Sequence, residues 1–406
     1  MLVRLLKRLV RTGSLRLIDG RGKIHIFGDG SAPRVALRLH KWWLEYKLAA
    51  YPSLYLGEAY ADGALTFEEG ALSDLLDLLA RNYDDIRAHP LIRAIDRVEL
   101  LLRPYNSIVA ARRNVAHHYD LSGRLYELFL DSDLQYSCAY FETGRESLDQ
   151  AQTKKKSHIA RKLLLDRPGL SVLDIGCGWG GLALYLARTA GSDVTGITLS
   201  EEQYKTATAR ALKEGLPNSA RFELRDYRQV AGRFDRIVSV GMFEHVGKAH
   251  YREFFRRLSG LLTDDGVALV HTIAWTHDLG PINPFIRKYI FPGAELSSLP
   301  EILAAVERSG LIVSDVEILR QHYAITLHHW RLRFESNRAK IIALYDERFF
   351  RTWQYYLASS ETFFRHGKMA VLQIQLAKNA ARLPITRDYM YGRDERGARQ
   401  RFVANA

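Results

Sequence analysis

Apolar positions along this chain repeat with two periods, and the chain changes element where the period changes. Between 12 and 70 the runs SLRLID, KIHIFG, RVALRLH and TFEEG, parted by Gly and Asp, predict strands. ALSDLLDLLARN (71–82) and HPLIRAIDRVELLLR (89–103) carry helical spacing, and Pro104 ends the second. The opening MLVRLLKRLVR sets Leu2, Leu5, Leu6 and Leu9 on one side of a short helix, with Arg4, Lys7, Arg8 and Arg11 between. Such a helix either packs on its own domain or lies on a membrane surface. Four basic residues add at most roughly 4 kcal/mol at an anionic surface, too little to anchor the chain alone. The charges also break the apolar run, so it is not a secretory signal. No run reaches membrane-spanning length.

From 150 onward strands and helices alternate. SVLDIG (171–176), DVTGIT (193–198), ARFEL (220–224), FDRIVSV (234–240) and GVALVHT (266–272) predict strands. LALYLAR, EEQYKTATARALKE and AHYREFFRRLSGLL predict helices between them. Alternation of this kind implies right-handed crossovers and an α/β fold with a doubly wound, mostly parallel sheet. Residues 311–319 and 369–377 supply two further strands, separated by a helical insertion at about 328–366. The expected organisation is a small α+β domain over 1–105, a linker at 104–116 and a catalytic domain over 106–406.

Composition narrows the class. At 47% hydrophobic and 26% charged, the 406 residues are ordinary globular material. Two cysteines, Cys138 and Cys177, are too few for a disulfide framework and lack zinc spacing, so no metal site is expected. A net charge of +12 attracts polyanions, either nucleic acid or an anionic membrane face.

The chemistry begins at VLDIGCGWGG (172–181), which closes a strand and opens a helix. Gly176 and Gly178 let the backbone turn tightly and approach a ligand, and Asp174 stands at the strand end. An acid two residues before G-x-G-x-G resembles the first motif of class I S-adenosylmethionine-dependent methyltransferases. Many of these carry an acid at the end of the second strand for the ribose hydroxyls. Here that place reads TGITLSEEQ (195–203), so Thr198, Leu199 and Gln203 must replace it.

That departure narrows the family. AHHYDLS (116–122), LQYSCAYF (134–141), VLDIGCGWGG, GITLSEEQ (196–203), SVGMFEHVG (239–247), LVHTI (269–273) and FIRKYIFPG (285–293) together resemble the cyclopropane-fatty-acyl-phospholipid synthase family over roughly 105–385. The resemblance implies an enzyme that adds a methylene from S-adenosylmethionine across a cis double bond of a phospholipid acyl chain. Its cofactor site would include Tyr136, Ser137, Asp174, Gly176, Gly178, Thr198, Leu199 and Gln203. Tyr227 would border the adenine, where some relatives have Trp.

In such a reaction methyl transfer leaves a carbocation, and a base must take a proton from the new methyl as the ring closes. The resemblance implies a bound bicarbonate as that base. Glu244, His271 and Tyr323 would hold it, with backbone groups of Cys138 and Ile273. A buried anion is costly unless hydrogen-bonded, and Glu244 would bond the protonated oxygen of the bicarbonate. Tyr119 would close over the substrate, its ring facing the developing cation. NPFIRKYIFPG (283–293) would form part of the acyl-chain wall or lid, with Arg287 and Lys288 either meeting phosphates or solvated. The Cys138 thiol is expected to be unreactive in catalysis.

The expected partners are unsaturated phospholipids in an anionic membrane surface and, by resemblance, a second copy in a homodimer. No nucleic acid is expected, because the signature of amino-methylating enzymes is missing from SVGMFEHVG. The implied location is cytoplasmic, on the inner face of the cell membrane. Three alternatives remain open: a lipid C-methyltransferase that quenches the cation without ring closure and, more remotely, a non-catalytic lipid-binding protein or a nucleic-acid methyltransferase.

Overall fold

The computed structural model describes residues 2–84, 123–276 and 282–392. The expected helix at 89–103, the linker at 104–116 and Tyr119 lie outside the described residues. Two compact units are present. The smaller holds described residues 2–84, 282–292 and 327–368; the larger holds 123–276, 293–326 and 369–392.

The smaller unit is built on a four-stranded sheet of order β2-β1-β3-β4. Its strands are β1 (Ser14–Ile18), β2 (Ile24–Gly28), β3 (Arg34–Leu39) and β4 (Leu65–Glu69). Leu15, Leu17, Val35, Leu37 and Leu39 turn one face inward onto Leu75 and Leu78 of the helix Leu72–Arg81. The N-terminal helix Leu2–Leu9 buries Leu2, Leu5 and Leu9. Its apolar side is therefore packed within the protein, and of the two readings of this helix the packed one holds.

Helices Leu44–Ala50 and Pro52–Ala61, between β3 and β4, have no counterpart in the sequence expectation. Apolar residues surround them on all sides in WWLEYKLAAYPSLYLGEAY, so no single stripe marks a helical period. The segment 282–292 also belongs here. Phe285 is fully buried, and a Cβ on Gly57 would lie 2.4 Å from its ring, so the ring rests directly on helix backbone. Lys288 pairs with Glu58 at 2.7 Å. The insertion expected over 328–366 is three helices, His322–Ser336, Arg338–Leu344 and Glu347–Arg365, the first starting six residues early.

The larger unit is the doubly wound α/β body. Its strands are β5 (Ser171–Ile175), β6 (Asp193–Thr198), β7 (Ala220–Leu224), β8 (Phe234–Val240), β9 (Leu262–Trp275), β10 (Ser297–Ser298), β11 (Ile312–Leu319) and β12 (Met369–Ala377). The sheet order is β11-β12-β9-β8-β5-β6-β7, with β10 paired to the end of β9. β5 to β9 run parallel; β12 is antiparallel to β9, and β11 to β12.

Both faces of this sheet are covered, as a parallel sheet requires. Leu173, Ile175, Ile237, Ala268 and Val270 face the helices Tyr251–Leu261 and Leu299–Val306. Their sequence neighbours Val172, Val238 and Leu269 face the helices Leu148–Lys162 and Gly181–Ala190. Strand order reverses at β5, so the crevice for a ligand lies beyond the carboxyl ends of β5, β6 and β8.

Candidate active site

The first helix of the nucleotide-type half starts at Gly181, immediately after the turn that leaves β5. Gly176 has φ +79° and a Cβ there would lie 2.9 Å from Met242, so the turn admits no side chain. Gly178, at φ +54°, would direct its Cβ into open space, where a ligand can approach the bare backbone. A cavity opens at this point. All nine residues expected to bind the cofactor line it: Tyr136, Ser137, Asp174, Gly176, Gly178, Thr198, Leu199, Gln203 and Tyr227.

Local bonds fix these groups. Thr198 Oγ1 donates to Gln203 Oε1 at 2.8 Å and accepts from the Ser200 N–H, so a hydroxyl and an amide occupy the place of the missing acid. Ser200 caps the helix that presents Gln203. Tyr227 is buried on one side, edge-on to Phe254, with the Arg228 guanidinium 5.3 Å from its ring centre. Burial pushes the Tyr227 phenol up to about 12, so it stays neutral and serves as a flat wall.

Asp174 is the electrostatic feature of the cavity. It is 1% exposed, and its Oδ2 has no hydrogen-bond partner among the described residues. Burial pushes its pKa up to about 7. A carboxylate that lacks a partner in a cavity suits a cationic ligand, and S-adenosylmethionine carries both a sulfonium and an ammonium. The residues present therefore fit that cofactor.

Two contributors escaped the sequence reading. Lys155 is fully buried on the helix Leu148–Lys162; its Nζ donates to Gln135 Oε1 at 2.6 Å and Ser137 Oγ at 2.8 Å. One turn earlier, Gln152 Nε2 donates to the carbonyls of Gln135 and Ser137. Together they hold the 135–137 segment against the cavity. Burial pulls the Lys155 ammonium down to about 8, partly offset by Asp131. His245 and Arg228 also line the cavity, and burial holds His245 down to about 4, so its ring is neutral.

The second set of expected residues meets in part. Glu244 follows β8 and reaches β9, where its Oε1 accepts the Ile273 N–H at 2.6 Å. Its Oε2 is buried without a hydrogen-bond partner among the described residues; burial raises its pKa, opposed by the Ile273 N–H and the nearby Thr272 hydroxyl. Ile273 thus braces the carboxylate; its amide is engaged, not free for an anion. His271 lies two residues earlier on β9, on the same face of the sheet as Ile273. It is 2% exposed, and burial pulls it down to about 3, so it is neutral. The Gln373 amide faces its Nδ1 at 3.2 Å. With that amide donating, the ring proton sits on Nε2, a donor suited to an oxyanion.

Cys138 is buried and its thiol pKa is pushed up by burial, which leaves it a poor nucleophile. The loop it belongs to is pinned to the first turns of the helix that carries Tyr323. The Ala139 N–H donates to Thr326 Oγ1 and the Phe141 N–H to His322 Nδ1, both at 3.0 Å. Tyr323 itself is 9% exposed.

Residues 107–374 match the family described as Mycolic acid cyclopropane synthetase. The chain belongs to this family. It is an S-adenosylmethionine-dependent methyltransferase of the cyclopropane synthase type. The chain is similar to the probable fatty acid methyltransferase of Pseudomonas putida, 39% identical over 389 residues, spanning 93% of this chain and 95% of that protein. The cyclopropane-fatty-acyl-phospholipid synthase of Escherichia coli is 40% identical over 261 residues, spanning 64% of this chain and 66% of that one. Among solved structures, mycolic acid cyclopropane synthase CmaA1 complexed with SAH and CTAB aligns with a TM-score of 0.63 and 35% identity. The alignment spans 68% of this chain and 99% of that one.

Proposed function

We propose that this family member transfers the methyl group of S-adenosylmethionine to a cis double bond of a phospholipid acyl chain and closes a cyclopropane ring. The methyl carbon bonds to one alkene carbon as the C–S bond breaks, releasing S-adenosylhomocysteine and leaving the cation on the other carbon. Loss of a proton from the new methyl group then closes the second C–C bond.

The observation that carries this reading is the free Oε2 of Glu244. A buried carboxylate oxygen without a donor is costly, and a ligand that brings its own O–H removes that cost. Bicarbonate has such an O–H, and when bound it supplies the base for the final deprotonation. Glu244 would accept from it, while neutral His271 and Tyr323 would donate to its oxygens. Ile273 and the pinned Cys138 loop would keep these groups in place. No described helix is long and apolar enough to cross a membrane.

A second reading rests on the Pseudomonas putida relative, which aligns over nearly its whole length and is a probable fatty acid methyltransferase. In that reading the cation loses a different proton and leaves a branched olefin. The test is incubation of the purified chain with vesicles of cis-unsaturated phospholipid and methyl-labelled S-adenosylmethionine. A ring-bearing lipid resists mild hydrogenation; a branched olefin takes up two hydrogens. Absence of label from the lipid would overturn both readings.

A further inference from the structure

The smaller unit exposes aromatic rings that its own core does not use. Trp42 is 54% exposed, Trp43 39% and Tyr46 56%, all at or next to the start of the helix Leu44–Ala50. Leu44 and Leu48 of the same helix are buried, so this helix already has a core-facing side, and the three rings stand off it. They are also organised among themselves. Trp42 and Tyr46 meet edge to face at 6.1 Å, and the Lys47 ammonium sits 4.9 Å from the Trp43 ring.

The charge around the rings is one-sided. Lys41 and Lys47 are exposed on either side of them. The β1–β2 turn comes up against the same place, since a Cβ on Gly20 would lie 2.4 Å from the Trp42 nitrogen. That turn adds exposed Arg21 and Lys23. The nearby acids are Glu45, half-buried on the helix, Asp19, buried and bonded to His25 at 2.9 Å, and Glu58, which lies within electrostatic reach of Lys47 and is paired with Lys288 at 2.7 Å.

We infer that Trp42, Trp43 and Tyr46, ringed by Arg21, Lys23, Lys41 and Lys47, form a docking surface for an anionic phospholipid bilayer. Trp and Tyr settle at the headgroup level of a bilayer because their rings are apolar with a polar edge. Basic residues beside them are drawn to anionic lipid. A protein partner of matching shape would more often meet an apolar centre with a polar rim than rings dispersed among ammonium groups. The inference deepens the proposed function and rests on it only in that a lipid substrate must be reached from a bilayer. The N-terminal helix, whose apolar side is buried, is not needed for it.

The full chain should be sedimented with vesicles of saturated phosphatidylglycerol and phosphatidylcholine, which offer no double bond, across a range of salt. Binding is expected to rise with the phosphatidylglycerol fraction and to fall as salt screens the attraction. Trp42→Ser with Trp43→Ser should weaken it tenfold or more, and Lys23→Glu and Lys41→Glu by at least roughly fivefold each. Circular dichroism and turnover of detergent-dispersed substrate should stay as in the wild type, since these side chains are exposed and lie outside the active site. Wild-type chain that ignores anionic vesicles, or variants that bind as well as wild type, would overturn the inference. So would variants that change only the chain's self-association, because the surface would then be an interface between copies. If docking follows the surface while no lipid is labelled, the proposed reaction fails and the docking stands; labelled lipid with undiminished docking of the variants gives the reverse.

Discussion

The Glu244 carboxylate accepts the backbone N–H of Ile273 at 2.6 Å, stitching the loop after β8 to the far end of β9. One oxygen is spent on this bond and the other is left buried and open. Glu244→Ala should therefore lower turnover by about 10²–10⁴, the scale of lost acid–base assistance. Glu244 does not line the cofactor cavity, so S-adenosylmethionine binding should change little. Single-turnover rates together with calorimetric binding check this; near-wild-type turnover would reject the role.

Carbonate-free buffer should slow the enzyme, and added bicarbonate should restore it in a saturable way. His271→Ala should raise the bicarbonate concentration needed, because the neutral ring would be one of the anion's donors. A rate indifferent to bicarbonate would remove the anion from the mechanism.

Asp174 supplies a pH signature. Its pKa rises from 3.8 to about 7 through burial, so between about pH 4 and about pH 7 the folded protein holds a proton there that the unfolded chain has lost. The folded state binds more protons in this window, so this contribution to stability falls as pH rises from about 4 through about 7. Cofactor affinity should move the opposite way, rising as the carboxyl ionises to meet a cation. Asp174→Asn should flatten both trends and weaken binding roughly tenfold or more above neutral pH, one pKa unit being about 1.4 kcal/mol. Thermal melts and titrations between pH 5 and roughly pH 8 give the two slopes.

Lys155 acts through Gln135 and Ser137 and not by reaching the reacting atoms. Lys155→Met should raise the KM for S-adenosylmethionine about tenfold or more, with a smaller change in kcat. It should also cost about 2–4 kcal/mol of stability, since it breaks two buried charge-assisted hydrogen bonds. Equal loss in kcat and no change in KM would contradict a positioning role. Melting temperature and steady-state kinetics separate the two effects.

Much of the larger unit was legible before any tertiary contact was known. The strand expected over 193–198 matches β6, and 220–224 and 234–240 match β7 and β8. Those strands are short, apolar and bounded by glycine or charge, so period and length agree. All nine expected cofactor residues line one cavity: a doubly wound sheet gathers the turns after its strands at one edge, and Lys155 and Gln152 hold the segment of Tyr136 and Ser137 against it. The helix Leu148–Lys162 was invisible. Its buried side carries Gln152, Lys155, His158 and Lys162, and a polar inward face erases the hydrophobic stripe by which helices are read. β9 begins before the expected 266–272, because its early residues Thr263, Asp264 and Asp265 do not look like a strand.

Local order of apolar and small residues determined the alternation of β5 to β9 and the glycine turn at 176–178, because each depends on neighbours in sequence; the rest of the expected cofactor set came from the motifs that resemble the family. Only the folded chain decided that a lysine would be the buried support of Ser137, that Ile273 would spend its amide on Glu244, and that Trp42 and Trp43 would stay outside. Those outcomes depend on which distant segments exclude water from which atoms, and burial at that distance leaves no periodic mark on the sequence.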